Sequence, residues 1–106
     1  MDIKSRKIEI LQQNIKRKIS EILFNMKDPR LCHDVLTISE VIVSNNGTVC
    51  NVHITSLRGI EHTRTVCNIL QRASGHIRSQ LSKILKIRMV PKIKFFSSDL
   101  SKVLFQ

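Results

Sequence analysis

One stretch limits the fold of this chain more than any other. Val66, Leu70, Ala73, Ile77, Leu81, Ile84 and Leu85 recur at spacings of three and four, the mark of a buried helix face. Ala73-Ser74-Gly75 interrupts that pattern. Glycine in a helix interior costs about 1 kcal/mol relative to alanine, and it opens backbone conformations closed to other residues. The spacing therefore predicts two helices meeting at Ala73-Ser74-Gly75, the second ending near Leu85. A helix pair of this length can join two strands of one sheet in parallel, through a right-handed crossover.

Strand signals lie on both sides of the pair. Residues 36–44 are rich in β-branched side chains, with an imperfect alternation that either a bulge or burial on both faces would produce. Asn45-Asn46-Gly47 follows, and Asn and Gly tolerate the positive φ of a tight hairpin turn. On the returning strand, residues 48–56, Cys50, Val52 and Ile54 share one face. Asn51, His53 and Thr55 share the other, expected to be wet. Residues 89–96 predict a third strand. Pro91 lacks a donor for the ladder, which assigns that strand to a sheet edge.

Ahead of all this, Ile8, Leu11, Ile15, Ile19, Ile22, Leu23 and Met26 form one apolar stripe on a helix of roughly six turns. Asp2 suits its start, and Pro29 requires it to stop within the preceding residues. The expected fold is α+β, in the order helix-strand-strand-helix-helix-strand. It has a three-stranded mixed sheet with helices on one face and a kink at Ala73-Ser74-Gly75. Residues 1–106 read as one domain with its own core, 97–106 forming a loose tail or short turn. Asp99 and Ser101 would cap such a turn.

Charge points to function. The net charge is +10. Residues 61–94 hold eight basic groups against the single acid Glu61, whereas residues 31–60 are slightly acidic. A concentrated cationic field calls for a polyanion, nucleic acid first and an anionic membrane surface second. Its members Arg72, Arg78, Lys83, Lys86, Arg88, Lys92 and Lys94 would neutralise phosphates and give affinity with little base specificity. Ser74 and Gly75 lie where a bend could aim helix amides at a phosphate. Arg30, in the turn after the first helix, is a further candidate. Lys4, Lys7, Lys16, Arg17 and Lys18 serve equally well as a wet helix face or a secondary contact. With four phenylalanines and neither Trp nor Tyr, an aromatic base-stacking platform is not expected.

Other classes have little support. Cys32, Cys50 and Cys67 are an odd set without paired spacing, as in reduced cytoplasmic proteins. No apolar run reaches membrane-spanning length, and the N-terminus lacks a signal-peptide core. Cys32-His33 are adjacent, and Cys50 and His53 point to opposite faces of one strand, so neither pair has zinc-ligand spacing. His62 and His76 add no such pattern. There is no nucleophile elbow, phosphate-binding glycine loop or paired-carboxylate motif. No catalytic residue, metal, cofactor or small-molecule substrate is therefore expected. The joint followed by a basic helix also suits a DNA-binding helix-turn-helix protein. A basic protein-interaction module is compatible with the same charge.

Several stretches carry a resemblance: Lys27-Asp28-Pro29-Arg30-Leu31, Leu36-Thr37-Ile38-Ser39-Glu40-Val41, Ala73-Ser74-Gly75-His76-Ile77-Arg78-Ser79-Gln80-Leu81, residues 85–95 and Asp99-Leu100-Ser101. Together, and in this order, they resemble the ribosome-binding factor A family of bacterial small-subunit assembly factors. The resemblance implies a type II KH-like domain with Ala-x-Gly at the helix joint. KH domains that clamp single strands carry Gly-x-x-Gly there. It further implies a cytoplasmic, non-enzymatic protein that binds the immature 30S subunit and its 16S ribosomal RNA. Such proteins support late maturation and processing of that RNA and are associated with growth in the cold. A monomer is expected. Family members often carry a longer C-terminal tail than this chain has.

Overall fold

The computed structural model describes residues 3–32, 35–87 and 89–98. The first helix, α1, spans Ile3–Asn25. Its stripe buries Ile15, Ile19, Ile22 and Leu23, while Ile8, Leu11 and Met26 pack at the margin of the same core. The helix ends ahead of Asp28-Pro29, where a short 3-10 turn, Pro29–Leu31, takes over. Asp28 caps this turn by accepting the Arg30 N–H at 3.0 Å, which leaves Leu31 fully buried. The expected capping role of Asp2 lies outside the described residues, as do those of Asp99 and Ser101 and the tail from residue 99.

Strands β1 (Leu36–Val43) and β2 (Val49–Ser56) pair antiparallel. The register shifts between Ile38 and Glu40, so a bulge causes the imperfect alternation of β1. At the hairpin, the Gly47 N–H donates to the Ser44 carbonyl at 2.9 Å with Gly47 at φ 73°, a conformation glycine adopts without strain. Asn46 Oδ1 accepts from the Thr48 N–H and hydroxyl, fixing the turn from inside. Next come α2 (Ile60–Arg72) and α3 (Ser74–Leu85), which lead to β3 (Lys92–Ser97). β3 lies parallel to β2, and the sheet order is β1-β2-β3. Pro91 directly precedes this edge strand, where its missing N–H costs no ladder bond.

The core lies between the helices and one face of the sheet. Val52, Ile54 and Cys50 of β2 meet Ile15, Ile19, Val66, Leu70, Ile77 and Leu81, all essentially inaccessible to water. The result is the α+β, type II KH-like arrangement of three helices on a mixed sheet. On the opposite face, Asn51 and His53 are only half-buried, but Thr55 is buried, contrary to the wet position expected for it. The chain leaving β3 crosses there, and the Thr55 hydroxyl donates to the Ser98 carbonyl at 3.1 Å.

Both outer edges of the sheet are tied by glutamines from the helices. Gln12 of α1 accepts the Val43 N–H on β1 at 2.9 Å. Gln71 of α2 accepts the Phe95 N–H at 3.0 Å and donates to the Ile93 carbonyl at 3.3 Å. Edge-strand groups that would otherwise face solvent or another chain are satisfied within the domain.

Candidate nucleic-acid interface

Only one residue, Ala73, separates α2 from α3. Its N–H donates to the Ile69 carbonyl and its carbonyl accepts the Ile77 N–H, so it closes one helix and opens the next. The kink is therefore narrower than the three residues predicted for it. Gly75 lies inside α3 with no positive φ, and the bend does not need its conformational freedom. A Cβ built on Gly75 meets nothing within 4 Å. What the glycine provides is open space beside the first turn of α3. That helix begins without a side-chain cap hydrogen bond, since its N-cap residue is Ala73.

The open space belongs to a cleft of about 300 Å³ lined by Gln71, Ser74, Gly75, Arg78, Lys92, Ile93 and Lys94. Three of its walls are cationic, and no carboxylate lines it. The crossover topology accounts for this gathering. The joint lies beside the β3 edge, and β3 alternates exposed Lys92 and Lys94 with buried Ile93 and Phe95. The helix dipole and the fixed cations both favour an anion at this point.

The other predicted residues are placed differently. Arg78 lines the cleft, but its Nε and one terminal nitrogen donate to the Val90 carbonyl at 3.1 and 2.8 Å, tying α3 to the approach to β3. Arg72 is exposed at the end of α2, next to the joint. Lys83 follows Arg78 by five residues, roughly 140° around the helix axis, which turns it away from the cleft. Lys86 caps α3 in the left-handed region, at φ 51°. Arg88 lies outside the described residues. Arg30 is not brought to the cleft. It pairs with Asp28 at 2.7 Å, and its carbonyl accepts a hydrogen bond from His62 Nε2 at 2.9 Å, near the start of α2. That places it roughly 18 Å along α2 from the joint. The hydrogen bonds and charge of Asp28 push the Arg30 pKa up, keeping it cationic. Gln71 went unnoticed in the sequence, where a polar residue beside Leu70 gives no hint that it holds a strand edge.

The described residues contain no group of three or more His, Cys, Asp or Glu that could hold a metal ion. Burial raises the pKa of Cys67, and that of Cys50 to about 11, so both stay protonated near neutrality. No described helix is long and apolar enough to cross a membrane. A helix-turn-helix reading also fails on geometry, since that motif needs a turn of three to four residues and this joint has one.

The family model for ribosome-binding factor A matches residues 7–103. The chain belongs to that family. A ribosome-binding factor A from Thermotoga petrophila is 32% identical over 87 residues, covering 82% of this chain and 66% of the relative. The chain thus spans just under two thirds of that relative's length. The ribosome-binding factor A of Thermotoga maritima, solved in solution, superposes with a TM-score of 0.76 at 31% identity, covering 83% of each chain. A Thermus thermophilus ribosome-binding factor A, fitted as a homology model into a cryo-EM map of its complex with the 30S subunit, matches with a TM-score of 0.71. Its identity is 27%, over 86% of this chain and 94% of that one.

Proposed function

We propose that this chain binds the immature small ribosomal subunit and promotes late maturation and processing of its 16S ribosomal RNA, without catalysing a reaction. The observation that carries the reading is the cleft at the α2–α3 joint, where the start of α3 and Arg78, Lys92 and Lys94 line one opening in a chain of the ribosome-binding factor A family. The 30S complex of the Thermus thermophilus relative supports the choice of partner. Ser74, Gly75, Lys92 and Lys94 receive a phosphate in the cleft. Arg72 adds charge beside it, and Arg78 holds the wall in place while contributing its own field. Lys86 extends the basic strip beyond α3, with Lys83 and Arg30 as peripheral charges and Arg88 as a further candidate contact. Binding one RNA arrangement better than its competitors is enough to shift the population toward a processing-competent form.

The test is binding to purified immature 30S subunits across a salt series. Replacing Lys92 and Lys94 together with Gln lowers affinity and reduces the salt slope by about 0.7 per lost phosphate contact. RNA protection in footprinting shrinks at the same time. Lys83→Gln, on the far side of α3, has the smaller effect. An unchanged slope and footprint in the double variant would refute the assignment of the cleft.

A further inference from the structure

The sheet face turned away from the helices holds a feature that the cleft does not use. Phe96 shares that face with Lys94, opposite the buried Phe95. In the parallel register Phe96 pairs with His53, and Lys94 pairs with Asn51. The two rings, 43 positions apart in sequence, stack with centroids 5.5 Å apart and planes 25° from parallel. Phe96 remains 42% exposed. Among the described residues β3 is an edge strand, so no neighbouring strand covers the outer side of the stack. In the neighbouring row, Asn51 Oδ1 is buried without a hydrogen-bond partner, an amide oxygen that the fold does not satisfy.

Three observations select the occupant. A stacked pair with an exposed terminal ring suits a flat π-system, and every nucleobase offers one. Lys94 belongs both to this face and to the wall of the cleft, and its Cα lies about 7 Å along the strand from that of Phe96. Glu40, the acid paired with His53, lies on β1, across β2 from the lysines. A strand leaving the cleft along β3 therefore passes cations first and meets the aromatic ring next.

We propose that the open sheet face is a base-stacking site. One unpaired base of an RNA strand whose phosphates occupy the cleft lies on Phe96 and extends the His53–Phe96 stack, with Lys94 holding the adjacent phosphate and the Asn51 amide beside the base edge. The proposal rests on the RNA reading of the cleft. It also replaces the expectation, drawn from composition, that so few aromatics cannot make a stacking surface. Register stacks one phenylalanine on a histidine ring that sequence holds 43 positions away.

A single-stranded RNA decamer with a central 2-aminopurine tests it. Wild-type protein is expected to bind with quenching of the fluorescent base. Phe96→Leu keeps an apolar side chain and is expected to bind about five- to a hundredfold more weakly, with an unchanged salt slope. Phe96→Tyr keeps the ring and restores binding. Melting curves of both variants report that the fold is intact. If wild type binds with normal salt dependence but without quenching, and Phe96→Leu matches it, the stacking site is overturned and the cleft reading survives. If wild type binds no RNA, both fall. Loss of 30S binding by Phe96→Leu without any wild-type quench assigns the face to a protein contact and overturns base stacking.

Discussion

Gly75→Ala separates stability from binding within one methyl group. Gly75 has no positive φ and lies within helix α3, and an added Cβ meets no heavy atom within 4 Å. The substitution therefore creates no strain. It restricts the unfolded chain and improves helix propensity, worth about 0.4–1 kcal/mol. For a domain of this size that raises Tm by about 2–6 °C. The same methyl projects beside the first turn of α3, where a phosphate would approach the backbone. Affinity for the immature 30S subunit is expected to fall about tenfold, or ~1.4 kcal/mol. Gly59→Ala supplies the opposite sign. Gly59 has φ 106°, so its alanine variant is strained wherever the new methyl points. It should lose more than about 1 kcal/mol of stability. Thermal melts and 30S binding on both variants form the assay. A Gly75→Ala protein that melts lower than wild type would refute the helical account of this residue. One that melts higher and binds equally well would refute the claim that its open space serves a ligand.

Two further outcomes follow from the edges and the core. Gln71→Ala leaves the Phe95 N–H and the Ile93 carbonyl of this edge strand without their side-chain partner, at a cost of about 0.5–1.5 kcal/mol per bond. Hydrogen exchange should quicken at Phe95 more than at β2 amides, whereas equal protection would show that the glutamine is dispensable. Cys50 gives a pH dependence. Its thiol, ordinarily near 9.0, is raised to about 11 by burial, so the unfolded chain ionises first as pH climbs. The folded state then holds more protons than the unfolded one, and stability falls across that interval. Cys50→Ser or Cys50→Ala should flatten the fall in denaturant midpoints between pH 9 and 11; an equally steep decline would assign it elsewhere.

Much of the architecture was legible because it rests on local periodicity. The stripes of α1 and of the α2–α3 pair, the Asn45-Asn46-Gly47 turn and the edge position implied by Pro91 are all short-range signals. The site was less legible because it depends on register and on rotation about a helix axis. Charge clustering singled out Lys92 and Lys94, which line the cleft, but it could not show that Arg78 is tied to a carbonyl, that Lys83 faces away or that Arg30 belongs to the far end of α2. Gly75 was expected to shape the bend, which Ala73 makes instead. The His53–Phe96 stack had no local signature, because only parallel pairing across a two-helix crossover joins the two positions.

That parallel pairing has a consequence for folding and release. Val43 meets Cys50 across a short hairpin, but Val49 meets Lys92 only after 43 residues. The hairpin can therefore form early, while β3 docks late, against a larger loop-closure cost. The cationic wall and the exposed ring both arrive with β3, so the proposed RNA surface is assembled only when β3 is docked. Apparent affinity is then scaled by the docked fraction. Loosening one edge strand, held from outside by Gln71, would empty the cleft and remove the stacking ring in a single step.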